Sequence, residues 1–154
     1  MAVQVVRVDF GNQRQREDLV LLLDLYAQDE MGRGAPLATE VRAQLAARLA
    51  EIPHCRAWLA YEDDTPVGVI VAFLAFSTFR ARPLLNLHDV AVRPGYRGRG
   101  IGQALLAAAE ADARELGCCK ITLEVRVDNV AQRLYQRAGF RNDAPQHEFW
   151  AKVL

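Results

Sequence analysis

Residues 87–106 read Leu-His-Asp-Val-Ala-Val-Arg-Pro-Gly-Tyr-Arg-Gly-Arg-Gly-Ile-Gly-Gln-Ala-Leu-Leu, a strand, a basic glycine-rich turn and the start of a helix. Val90 and Val92 belong to a β-branched run that Pro94 ends, because proline cannot extend a strand ladder. Gly98, Gly100 and Gly102 then alternate with Arg99 and Ile101. Lacking a Cβ, glycine lets backbone N–H groups turn toward a bound group at close range. Leu105, Leu106 and the alanines behind them propagate a helix, so the glycines fall on its first turn. That turn has unpaired N–H donors and the positive end of the helix dipole. Arg97 and Arg99 add full positive charge, and the whole suits a phosphate or pyrophosphate.

Two familiar phosphate loops do not fit. A P-loop needs Gly-Lys-Ser/Thr, whereas Gln103 and Ala104 follow Gly102. A Gly-x-Gly-x-x-Gly frame begun at Gly98 ends on Gln103, and one begun at Gly100 ends on Leu105. What fits is Arg-x-x-Gly-x-Gly, as Arg97-Gly98-Arg99-Gly100-Ile101-Gly102. This turn resembles the acetyl-CoA pyrophosphate loop of the GCN5-related N-acetyltransferases (GNAT). By itself it is also an ordinary glycine-rich strand-to-helix connection, so the rest of the chain has to decide.

At 154 residues the chain suits a single domain, residues 1–154, with a real core. Its 51% hydrophobic content and zero formal net charge fit a globular protein and give no global pull toward nucleic acid or an anionic membrane. Arg93, Arg97 and Arg99 are a local patch matched to one phosphorylated ligand. Cys55, Cys118 and Cys119 contain no Cys-x-x-Cys, so they read as reduced thiols in a cytoplasmic protein, with neither a disulfide frame nor a metal site. The chain opens on alternating valines without a signal-peptide core. Its longest apolar run, residues 19–23, is too short to span a bilayer.

Periodicity predicts a strand over 3–9 and a helix over 17–28. An acidic glycine-rich loop follows at 29–36, then a second helix striped by Val41, Leu45, Leu49 and Ile52 that Pro53 stops. Strands follow at 56–61 and 67–76, the latter apolar on both faces as a central strand would be. The helix after the glycine turn ends at Gly117. Ile121, Leu123 and Val125 alternate with polar residues to 126, another strand. Asn129 with Gln132 predicts a capping box opening a short helix that Gly139 ends. Residues from 140 on, and 147–154, read as two final strands.

The string Leu123-Glu124-Val125, Asn129, Leu134-Tyr135, Gly139-Phe140 resembles the second GNAT signature in order and spacing. The resemblance covers nearly the whole chain, most firmly 84–140. It implies an α/β (α+β) GNAT fold: a mixed, mostly antiparallel sheet of about six or seven strands with about four helices on both faces. It also implies a direct attack of an amine on acetyl-CoA, taken as co-substrate with no metal. Backbone groups of Val90, Ala91 and Val92 would hold the pantetheine. Those of Arg99, Gly100, Ile101 and Gly102, within the turn that Arg97 and Gly98 begin, would hold the pyrophosphate. Asn129 would bond the pantetheine arm, and Tyr135 would serve the leaving thiolate. For the base, an imidazole at His88 has a suitable range, and Asp89 lies beside it. Neighbours on a strand face opposite ways, so one of the two is expected at the substrate; a water chain is the third option.

Asp29, Glu30 and Glu124 are carboxylates that the resemblance brings to the acceptor side, which points to a small cationic primary amine. Residues 76–82 and 87–89 also resemble the matching stretch of diamine acetyltransferases. Two other readings stand beside it: peptide or protein N-terminal or lysine acetylation, and a non-catalytic acyl-CoA-binding module. The oligomeric state is open between monomer and homodimer.

Overall fold

The computed structural model describes residues 2–143 and 147–154. The elements run β1 (Val3–Arg7), α1 (Gln13–Gln28), α2 (Thr39–Ala50), β2 (Cys55–Glu62), β3 (Thr65–Ser77), β4 (Arg82–Val92), α3 (Ile101–Glu115), β5 (Ile121–Leu123) and α4 (Gln132–Arg137). The sheet order is β1-β2-β3-β4-β5. The first four strands pair antiparallel and β5 joins β4 in parallel. A parallel neighbour requires a long crossover, which α3 supplies.

Two apolar layers sandwich the sheet. Leu19, Leu22 and Leu23 of α1 and Leu49 of α2 pack against Leu59, Val69 and Val71. On the other face Ile101, Leu105, Leu106, Ala109 and Ala113 of α3 pack against Ile70, Leu85 and Leu87, with Tyr135 of α4 alongside. Residues 67–72 of β3 are buried throughout, which is why that strand reads as apolar on both faces. Each fully buried leucine or isoleucine there contributes roughly 1.5–3 kcal/mol. Gly68 lets α3 approach: a Cβ there would lie 2.8 Å from Leu105 Cδ1 and 2.9 Å from Ile101 Cγ2. The close seat puts the first turn of α3 just past the end of β4.

α1 starts four residues before the predicted helix, because the Asn12 side chain accepts the Gln15 N–H at 3.2 Å and caps it. The sheet has five strands among the described residues, fewer than expected. Residues 140–143 and 147–154 form no strand, and 144–146 lie outside the described residues. Phe140 turns its ring against Tyr135 at 5.9 Å instead of entering a ladder, and Phe149 and Trp150 are exposed. β5 also stops at Leu123, three residues short of expectation. Its last partner is Leu87, and β4 is irregular at the next residue. Cys55, Cys118 and Cys119 are free thiols. No helix among the described residues is long and apolar enough to cross a membrane.

Candidate active site

The irregularity in β4 builds the site. Val71 pairs with Asp89 and Ala72 with Leu87, so His88 has no partner on β3 and forms a β-bulge. A bulge resets the alternation of faces. Asp89 shares a face with Val71 of the α1/α2 layer. The His88 ring stands edge-on to Phe73, another residue of that layer, at 5.6 Å. Both side chains therefore turn to the same face of the sheet rather than to opposite ones, and of the two only His88 lines the adjoining cavity. Beyond Leu87 and Leu123 the two strands separate, and a cavity of about 290 Å³ opens between them. Leu87, His88 and Val90 line it from β4, Leu123 from the end of β5, Glu124, Val125 and Arg126 from the segment beyond, Asn129 and Tyr135 from the α4 side, and Tyr26 and Met31 from α1 and its loop. From residue 88 on, the β4 edge that faced β5 has no strand partner among the described residues.

The glycine turn leads from β4 into α3. Gly100 is the N-cap in the left-handed region, at φ 81°. The N–H groups of residues 100–103 find no acceptor among the described residues, while Ala104 N–H already bonds to Gly100 O at 3.0 Å. These are the free donors of a helix start. Gly102 has a second reason to be glycine. A Cβ there would lie 2.7 Å from Leu134 Cδ2, so α3 and α4 meet at this point and bring Tyr135 to the cavity. The arginines are engaged. Arg97 pairs with Asp29 and donates to Val92 O at 3.3 Å. Arg99 pairs with Glu62 at 3.2 Å and lies over the Tyr96 ring at 4.9 Å.

Asp29 is thus tied to the phosphate-side turn rather than open to an acceptor. Its carboxylate takes the Met31 N–H and the Arg97 guanidinium, which hold it below the usual carboxylate range. Glu30 is exposed and outside the cavity lining, whereas Glu124 lines it. Asn129 lines it too, its Oδ1 accepting Ala131 N–H at 2.9 Å. The capping box does not form: Gln132 Nε2 reaches the carbonyls of Arg126 and Val127, both at 2.9 Å, and α4 opens after Ala131. Those bonds hold the 126–129 turn that carries Asn129.

Burial, helped by the Tyr26 phenol, pushes the Tyr135 hydroxyl up to about 12. Burial also raises Asp89 above its ordinary value, with the adjacent His88 opposing. Asp89 makes no hydrogen bond to its side chain among the described residues. Sequence reasoning missed Tyr26, Met31, Arg126 and Phe149, all cavity-lining. Helical spacing marks Tyr26 as one more residue of the α1 stripe, and nothing local shows that the last turn overhangs β4.

The profile described as "Acetyltransferase (GNAT) family" matches residues 20–140. The chain belongs to the GNAT family of acetyltransferases. Streptothricin acetyltransferase of Streptomyces lavendulae is 39% identical over 74 residues, 47% of this chain and 39% of that protein. Aminoalkylphosphonate N-acetyltransferase of Salmonella typhimurium is 32% identical over 101 residues, 65% of each chain. The chain therefore spans less than two thirds of either relative. A solved probable acetyltransferase superposes with a TM-score of 0.84 at 22% identity, covering 98% of both chains, and shares the fold. GNAT acetyltransferases use acetyl-CoA as co-substrate, and the open N–H turn is suited to its pyrophosphate.

Proposed function

We propose that this chain, acting as one domain, moves the acetyl group of acetyl-CoA to a small primary amine by direct attack. The observation that carries the reading is the β4 bulge. It opens the cavity, frees a strand edge, places His88 in the cavity wall with Tyr135, and sets Asp89 beside it on the face toward α1. Backbone groups of residues 90–92 take the pantetheine, and an N–H there aimed at the thioester oxygen contributes about 3 kcal/mol to the transition state. The N–H groups around residues 99–102 take the pyrophosphate. Asn129 borders the pantetheine arm.

Asp89 removes the ammonium proton. Its raised pKa lets it accept a proton closer to neutrality than an ordinary carboxylate would. Tyr135 serves the sulfur. A phenol pushed up to about 12 transfers its proton poorly to a thiolate whose conjugate thiol has a pKa of about 8.5, so it acts as a hydrogen-bond donor to the departing thiolate. Glu124 in the wall favours a cationic acceptor. The two relatives are named for small molecules and the ribosomal protein bS18-alanine N-acetyltransferase of Haemophilus influenzae, 33% identical over 67 residues, for a protein, so the choice of a small acceptor rests on the cavity.

The test is thiol release and product mass with acetyl-CoA and a panel of polyamines, basic and acidic amino acids, neutral aminosugars and short peptides. Small cationic amines should be consumed fastest, and Tyr135→Phe should lower turnover by about a hundredfold with coenzyme affinity kept. Faster acetylation of peptides would move the assignment to protein acetylation. Acetyl-CoA binding with no amine consumed would make the chain a binding module.

A further inference from the structure

Tyr26, in the last turn of α1, faces the same cavity as Leu87, His88, Val90, Asn129 and Tyr135 and has no role so far. Its backbone is held firmly. The Tyr26 carbonyl accepts Asp29 N–H at 3.1 Å, and Arg33 and Ala35 donate to Ala27 O at 3.1 and 3.2 Å. The loop crosses back over the same carbonyl at Gly32, where a Cβ would lie 2.2 Å from Tyr26 O. The Tyr26 hydroxyl has no hydrogen-bond partner among the described residues, whereas the Tyr61 hydroxyl donates to Asp18 at 2.7 Å. Opposite Tyr26 stands the bulge, with Asp89 and His88 turned toward the α1 layer. The charged and titratable groups about this point are Asp89 and His88 on β4, Asp29 in the loop with its partner Arg97, Tyr135 on α4, and Glu124 and Arg126 in the segment after β5. Burial first, then the charges of Asp89 and Asp29, raise the Tyr26 phenol, so it stays protonated near neutrality.

We propose that Tyr26, His88 and Asp89 form a three-point seat for the acceptor nitrogen, with the Tyr26 oxygen selecting a primary amine. The inference rests on the acetyl-transfer reading of this site. A primary ammonium carries three N–H donors, and a carboxylate, an imidazole nitrogen and a phenol oxygen are three acceptors. One proton passes to Asp89. The neutral amine keeps two N–H bonds, to His88 and Tyr26, and its lone pair is left for the thioester carbon. The C–N bond forms, the C–S bond breaks, and the second nitrogen proton is lost as the thiolate gains one. An N-methyl amine offers one donor fewer and places a methyl against the Tyr26 oxygen.

The experiment compares wild type and Tyr26→Phe on putrescine and N,N′-dimethylputrescine, in which both nitrogens are secondary. For putrescine, kcat/KM should fall roughly tenfold to a hundredfold, the worth of one hydrogen bond to a charged group. The methylated amine should lose little, so the preference for the primary amine collapses while acetyl-CoA affinity holds. Equal losses on both amines, or none, overturn the seat. A second readout needs no substrate. By NMR, the titration midpoint of the Asp89 carboxyl should rise in Tyr26→Phe, because a desolvated carboxylate loses a polar neighbour. An unmoved midpoint overturns the seat as well. Failure of the acetyl-transfer reading looks different: wild type consumes neither amine, and the titration alone then decides the seat.

Discussion

Asp89 is a carboxylate turned into an apolar layer without a hydrogen-bond partner among the described residues, and that placement costs stability. Its folded pKa lies above the unfolded one, so the native state binds more protons than the unfolded state between the two values. Stability must then fall as pH rises through that window, the reverse of a salt-bridged carboxylate. Asp89→Asn should remove this loss and raise the melting temperature at neutral pH by a few degrees, on the order of what about 1 kcal/mol provides. Melts across pH check it, with wild type and variant converging at acid pH. The same variant should lose turnover, the usual exchange of stability for function. His88 and Asp89 are recognisable in the sequence as chemistry-bearing neighbours. That both face one way is not, because period-two alternation holds only where no residue is added to the ladder.

Each wall of the site is placed by close contacts between elements. β4 and β5 separate at the bulge, α3 meets α4 at Gly102, and the loop after α1 folds over the Tyr26 carbonyl at Gly32. Gly32 is the most demanding of these positions, since the atom 2.2 Å from its would-be Cβ is backbone. At Gly102 the neighbour is the end of a leucine side chain, which can give. Gly32→Ala should therefore push the loop off α1 and cost about 1–3 kcal/mol of stability by overpacking. It should also raise the acceptor KM, through Tyr26 and Met31, more than the acetyl-CoA KM. Denaturant unfolding and two-substrate kinetics measure both. Equal changes in the two KM values would mean that the loop does not shape the acceptor side.

Across the whole molecule, the glycine turn is linked to distant parts of the chain: Arg97 to Asp29 after α1, and Arg99 to Glu62 at the end of β2. Both arginines are half-exposed, so these pairs contribute little to stability alone. They tie the turn's cations to the loop after α1 and to the end of β2. Acetyl-CoA at a hundred times its Kd should stabilise the fold by about 2.7 kcal/mol, a rise in melting temperature on the order of 5–10 °C. Gly100→Val should abolish most of that rise. At φ 81° a valine is strained by about 1–2 kcal/mol, which disfavours the turn conformation that leaves the N–H groups open. Thermal shift with and without acetyl-CoA reads the effect. A full shift in the folded variant would place the pyrophosphate elsewhere.

The sequence alone determined what short-range physics writes: the strand, glycine turn and helix of 87–106, the amphipathic stripes of α1 and α3, the doubly buried β3, and the second signature from Leu123 to Phe140. Each is a local pattern of apolar period, φ-permissive glycine or helix terminus, legible without neighbours. Tertiary structure alone decided the rest. It ended β5 where β4 bulges and sent Phe140 against Tyr135 instead of into a strand. It turned Gln132 to the 126–129 turn rather than to a capping box, tied Asp29 to Arg97, and brought Tyr26 over Asp89. These outcomes depend on which groups from remote segments compete for the same space, hydrogen-bond partner or charge, and that competition exists only once the sheet has assembled.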